Sequence, residues 1–216
     1  MSYWQGIVTG AALAGMVVAL TAAAKPQHFS TIDVERINVR EPDGALRMVI
    51  AGRDRFPGSF HKGEEIPRPD RCFPTGMLFL NEEGAKNGGL KGASKSVDGK
   101  TNAGASLTFD RYESDQTLQL LQNDSGNRNI AALIISDRPA GSMFENKEGK
   151  LEILRSAAGG APRLFAGKSM DRASVIMLQD ERGTPRILLK IDRGGTGSIN
   201  LLVSTGNIIR SIGLES

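Results

Sequence analysis

Cys72 and His61 lie eleven residues apart in one Pro-rich stretch, 53–75, together with Glu64, Glu65 and Asp70. A thiolate beside an imidazole would make a nucleophile, and two converging carboxylates would give a hydrolase its acid and base. Spacing alone establishes neither, and Arg68 and Arg71 stand next to the acids as ready partners in exposed ion pairs. Gly167-Lys168-Ser169 copies the end of a phosphate-binding loop, but Pro162 occupies the place of that loop's first glycine and no helical pattern follows. Gly194-Gly195-Thr196-Gly197 suggests a dinucleotide turn or a calcium-binding β-roll. Asn200 and Ile199 stand where those motifs require Gly and Asp, so a hairpin turn explains the segment better. No G-x-S-x-G is present, so there is no nucleophile elbow. Cys72 is the sole cysteine, which excludes an intrachain disulfide, and His28 and His61 are too few for a His-rich metal site. The expectation is a protein with no catalytic residue, no cofactor and no metal.

The elements that would position any site read as strands. No segment after residue 32 sustains a 3.6-residue apolar period. Ile37 and Val39 alternate, as do Leu46, Met48 and Ile50. Short apolar runs follow at 77–80, 107–109, 118–121, 131–135, 151–154, 175–178, 187–191 and 199–203, bounded by Gly, Asp and Pro. Gly44, Gly160 and Gly183 are each followed three residues later by Arg, at 47, 163 and 186. A tight hairpin takes Gly at positive φ, and the Arg then falls on the returning strand with its stem over the sheet and its head in solvent. Turns near 160, 183 and 206 repeat every 23 residues, so the C-terminal part is a regular hairpin array. The predicted body, residues 33–216, is an all-β domain built from consecutive hairpins, closed as a sandwich or a barrel. Two stretches, 53–75 and 84–104, are expected as long loops.

The N-terminus is different. Gly6 to Ala24 is 19 residues without a charge. At ~1.5 Å per residue a helix of that length spans roughly 28 Å, close to a bilayer's hydrocarbon core. Tyr3 and Trp4 precede it as interfacial anchors, and Gly6, Gly10 and Ala14 form a small-residue stripe that lets a partner helix approach closely. A cleaved signal peptide is the competing reading, with Ala22–Ala24 as a small-residue cleavage site, but MSYWQ lacks the basic start such a peptide carries. The expected organisation is a transmembrane helix over 1–24, a linker over 25–32 and an extrinsic domain. Lys25, Arg36 and Arg40 after the span argue for a cytoplasmic domain, and the signal-like start argues for a periplasmic one. The reading adopted is a single-pass protein of a bacterial inner membrane with its domain outside the cytoplasm.

The net charge is +3 with both signs interleaved, as in Arg53-Asp54-Arg55. No basic cluster with stacking aromatics marks a nucleic-acid face. In stretch 53–75, Phe56, Phe60 and Phe73 stand among Arg68 and Arg71 on a Pro-stiffened segment. Such a segment docks on a partner at small ordering cost, or covers an edge of its own sheet. The candidate contact residues are therefore Tyr3, Trp4, Gly6, Gly10 and Ala14 in the span, and Phe56, Phe60, Arg68, Arg71 and Phe73 in the loop.

The stretches IDVERINVREPDGALRMVIAGRDRFPG (32–58), EIPRPDR (65–71), GMLFLNEEGAKNGGL (76–90) and LTFDRYESDQ (107–116) resemble a bacterial family with an N-terminal membrane segment and a hairpin-rich β domain. That resemblance carries no assigned chemistry. In architecture alone the chain is similar to extrinsic accessory subunits of bacterial membrane complexes, such as photosynthetic reaction-centre–antenna assemblies. The implied role is a structural accessory subunit, with other membrane subunits and the bilayer as partners. A membrane-tethered binding module for a small ligand or a cell-envelope polymer is the alternative, and a hydrolase using loop carboxylates is third.

Overall fold

The structure is a computed structural model that describes residues 27–68, 74–147, 150–153 and 159–214. The expected membrane span, with Tyr3, Trp4, Gly6, Gly10 and Ala14, lies outside the described residues. Among those described, no helix is long and apolar enough to cross a membrane. The chain divides into two units, Met1–Val34 and Glu35–Ser216. The described part of the first, residues 27–34, contains no strand.

The second unit is all-β. Its main sheet has twelve antiparallel strands: β1 (Arg36–Arg40), β2 (Leu46–Ala51), β5 (Thr75–Leu80), β6 (Lys86–Val97), β7 (Lys100–Asp110), β8 (Gln116–Ser125), β9 (Arg128–Ser136), β12 (Pro162–Lys168), β13 (Ser174–Gln179), β14 (Pro185–Ile191), β15 (Gly197–Leu202) and β16 (Ile208–Leu214). They follow one another in space in that order. Two small hairpins interrupt the meander: β3 (Ser59–His61) with β4 (Glu64–Ile66), and β10 (Phe144–Lys147) with β11 (Lys150–Ile153). One 3-10 turn, Arg53–Arg55, precedes β3.

Neither a sandwich nor a barrel forms among the described residues. Each hairpin pairs with the next, and β1 and β16 remain the two edges of one open sheet. Residues 84–104 are not a loop but most of β6 and β7, the longest strands, joined at Asp98-Gly99. Their Gly and Lys content hides a ladder of ten cross-strand pairs, Gly88↔Phe109 to Val97↔Lys100. Stretch 53–75 likewise contains the β3–β4 hairpin.

Seven turns share one closing hydrogen bond. The N–H of the first residue donates to the carbonyl of the fifth at 2.9 to 3.0 Å in 41–45, 81–85, 111–115, 169–173, 180–184, 192–196 and 203–207. In six of them the fourth residue has φ between 67° and 94°, and Gly fills that place except at Arg172. This is the three-residue hairpin loop that ends in a left-handed residue. Gly160 is not such a turn; it leads into β12, where an added Cβ would lie 2.0 Å from the Asp137 carbonyl oxygen. The arginines that follow these glycines do not simply extend into water. Arg47 donates to the Asn81 carbonyl at 2.7 Å and pairs with Glu41. Arg186 donates to the Leu202 carbonyl at 3.1 Å and pairs with Asp180. Each thus ties its own turn to the neighbouring hairpin.

Candidate functional site

The side chains that pair across strands lie on one face, and the register aligns them into rows. One row crosses the entire sheet: Ile37, Ile50, Met77, Leu90, Leu107, Leu120, Leu133, Ala166, Ile176, Leu189, Ile199 and Ile212. The neighbouring row on that face runs from Val39 and Met48 through Phe79, Gly88, Phe109, Leu118, Ile135, Leu164, Leu178 and Ile187 to Leu201 and Arg210. Gly88 sits between Phe79 and Phe109 because a Cβ there would lie 2.5 Å from the Thr108 carbonyl oxygen, and its φ of 150° suits Gly alone.

This face is bare. Leu90, Phe109, Leu120, Ile176 and Ile212 are 44 to 48% exposed. Eleven strand spacings of ~4.8 Å make it roughly 53 Å wide, and two rows make it about 14 Å deep. The footprint of roughly 700 Å², apolar except at Gly88 and Arg210, is comparable with the ~800 Å² that each partner gives to a standard interface.

The opposite face holds the core. Val49, Ala51, Leu78 and Leu80 are buried there beneath Phe60 of β3, with Leu46 and Phe56 packed around them. The large aliphatic residues of the described strands are thus split unevenly between the faces. A compact core lies under one hairpin, and the longer rows are left to solvent.

Phe56 and Phe60 of stretch 53–75 are therefore used at home. Phe60 is 2% exposed, so its side chain offers nothing to a partner, and Phe56 is half-buried against the same cluster. Burying Phe60 stabilises the fold in a way that holding it out for a partner would not. Arg68 Nη1 donates to Ser59 Oγ at 3.3 Å, and Glu65 pairs with Arg36 at 2.9 Å, which fastens the hairpin to edge strand β1. Arg71 and Phe73, with Asp70 and Cys72, lie outside the described residues.

His61 does not enter a catalytic pair among the described residues; its ring rests 4.9 Å from that of Phe144, where the two small hairpins meet. Beneath them lies the most buried ion pair among the described residues, Lys86 Nζ to Asp110 Oδ2 at 2.5 Å. The adjoining cavity, lined by Phe60, His61, Ser114 and Phe144 among others, measures about 30 Å³, the space of one water molecule. Asp110 Oδ1 and Ser114 Oγ are buried without a protein partner. Burial pushes the Asp110 carboxyl above the usual carboxylate range, and Lys86 opposes that rise. The arrangement closes a seam and has no room for a substrate. No three His, Cys, Asp or Glu residues among those described gather closely enough to hold a metal ion.

A wider groove of about 770 Å³ lies on the covered face toward the β6–β7 tip, lined by Arg53, Lys95, Lys100, Asn102 and Asn123 among others. It is open to solvent. Gly167 and Lys168 belong to strand β12 with Ser169 opening the next turn, and Gly194–Thr196 form the β14–β15 turn, so neither makes a phosphate loop.

Compared with protein-family models, with curated proteins and with solved structures, the chain matches none.

The rows of the bare face are the residues that motif reading passes over. Their signal was the alternation itself, Ile37/Val39 and Met48/Ile50, and again Ile176/Leu178 and Ile187/Leu189 in the C-terminal strands.

Proposed function

We propose that the chain acts by contact, as a structural accessory subunit of a bacterial membrane protein complex. In this reading residues 1–24 anchor it in the inner membrane and the β unit stabilises neighbouring subunits from the periplasmic side. The observation that carries the reading is the open row of apolar side chains across all twelve strands of the main sheet, with a second row beside it broken only at Gly88 and Arg210. Water-exposed apolar surface on this scale is a standing free-energy penalty that a partner removes. The Arg-tied turns and continuous ladder hold the face in shape, so docking orders little new structure.

The test is solubilisation of native membranes in mild detergent followed by size analysis. The chain is expected to migrate with other subunits, and Ile176→Lys with Leu189→Lys is expected to release it. A discrete wild-type monomer with no co-purifying subunit refutes the proposal. The open groove with Lys95, Lys100, Asn102 and Asn123 favours a second reading, a tethered module for an anionic envelope polymer. In that case Lys100→Glu, and not Ile176→Lys with Leu189→Lys, removes the function.

A further inference from the structure

Strands β6 and β7 reach well past their neighbour β5. That strand stops at the Thr75↔Gly92 pair, while the ladder between β6 and β7 runs on to Val97↔Lys100. Residues 93–97 of β6 thus form one side of a prong that projects roughly 17 Å beyond β5. Cross-strand pairs share a face. Lys95, Asn102, Ser125 and Arg128 make one row, and Val97 with Lys100 makes the row beyond it. Three cations and one aliphatic side chain therefore occupy one face of the tip. Val97 is 48% exposed, and Lys100 and Arg128 are exposed and enter no ion pair among the described residues. Of the nearby acids, Asp124 lies on the other face, where Gln122 and Asn129 donate to it, and Asp98 sits in the turn itself.

The chain enters the sheet at this same end. The Gly52 N–H donates to the Glu35 carbonyl at 3.0 Å, and a cavity of about 400 Å³ brings Glu35 and Arg53 together with Ala93 and Ser94 at the base of the prong. Arg53, Ala93 and Ser94 also line the open groove that holds Lys95 and Lys100. Residues 25–34, between the proposed span and Glu35, reach at most ~36 Å when extended. The opposite end differs in charge. Its five tight turns, 41–45, 81–85, 111–115, 180–184 and 203–207, carry eight acids and two arginines.

We propose that the β6–β7 prong binds anionic phospholipid headgroups of the membrane that anchors the chain. Lys95, Lys100 and Arg128 meet the headgroup phosphates, and Val97 enters the interface among them. Three features select a lipid surface. The cations share one face of a projecting tip, where a negatively charged membrane attracts all of them at once. An exposed aliphatic side chain among cations suits the boundary between headgroup and acyl chain, and a soluble polyanion offers it nothing. The tether keeps this end within a short reach of the bilayer, while the acidic turns stand at the far end of the strands. The inference rests on the anchoring proposed above and adds a lipid partner to it. It holds on either side of the membrane.

The experiment uses the full chain with Cys72→Ser as background. A polarity-sensitive dye is attached at Ser96→Cys on the prong or, as the opposite-end control, at Ser204→Cys. Each chain is reconstituted in vesicles of phosphatidylcholine alone or of equal parts phosphatidylcholine and phosphatidylglycerol. The prong dye is expected to shift to the blue in the anionic vesicles only, and the control dye in neither. Lys95→Glu with Lys100→Glu is expected to cut that shift roughly fivefold or more, and Lys100→Arg to keep it, with the far-UV spectrum and retention after an alkaline wash unchanged. A chain that washes off the vesicles refutes the anchoring, and this inference with it. A chain that stays but shows no shift at the prong, an equal shift in both lipids or at both labels, or a shift that survives the double reversal overturns the lipid contact alone. So does an equal shift on adding soluble polyphosphate to phosphatidylcholine vesicles, which would seat a polymer in the groove.

Discussion

Leu78 and Leu120 occupy strand interiors of the same sheet on opposite faces, and they make a paired test of how the unit divides its apolar surface. Leu78 is 0% exposed and Leu120 is 48% exposed. Leu78→Ala removes buried methyl groups and leaves a cavity under Phe60, a change worth ~2–5 kcal/mol. Full burial of a Leu side chain contributes ~1.5–3 kcal/mol. Leu120 realises about half of that, and its truncation opens to solvent instead of leaving a void, so Leu120→Ala is expected to lose about 1 kcal/mol. Urea unfolding of the isolated chain, followed by far-UV circular dichroism at constant m-value, separates the two. On the proposed docking the order reverses when a partner is bound. Leu120→Lys leaves the isolated fold close to wild type but forces a charge into the covered interface, which disfavours binding by several kcal/mol. Equal destabilisation by Leu78→Ala and Leu120→Ala in the isolated chain would mean that the bare face is packed within one molecule, and the argument for docking would fail.

The buried pair gives a second expectation. Asp110→Ala leaves the Lys86 ammonium without its partner and should destabilise the unit by about 3–5 kcal/mol, whereas Lys86→Met with Asp110→Leu should recover most of it. Because burial raises the Asp110 carboxyl, the folded chain binds that proton more tightly than the unfolded chain. Its contribution is complete below the ordinary carboxylate range and is lost as pH rises through the raised folded value. Unfolding titrations of wild type and Asp110→Asn should therefore differ in slope over that window, and identical slopes would contradict the assignment. Third, Gly84 has φ of +76°, and a Cβ there would lie 2.4 Å from the Gly63 backbone nitrogen. Gly84→Ala should strain the turn, separate it from the β3–β4 hairpin and lower stability by about 2–4 kcal/mol, with faster hydrogen exchange at Gly63 as the local readout.

The all-β character was legible because alternation and turn glycines are local signals. Leu46-Met48-Ile50 and Ile187–Ile191 fall inside β2 and β14, and Gly44, Gly183 and Gly206 take the positive φ that their turns require. β6 was not legible. Lys86-Asn87-Gly88-Gly89 carries little intrinsic strand preference, and its pairing is imposed by β5 and β7 on either side. Gly88 and Gly89 read as loop residues, yet they are there because the neighbouring backbones approach too closely for any Cβ.

The harder step lies between knowing the strands and knowing which face is a site. Alternation marks two faces without saying which is covered. Ile176 and Leu178 point one way, Val175 and Met177 the other, and both pairs are apolar. What breaks the tie near β2 and β5 is a long-range contact, Phe60 lying over Val49 and Leu78, made by a segment that the sequence presents as a loop. Once that hairpin takes one face, its edge fastened through Glu65 to Arg36, the other face has no cover left in the described chain. The same placement that withdraws Phe60 from any partner therefore exposes Ile50 and Leu90 to one. The proposed contact residues are thus the apolar positions that the insertion fails to reach.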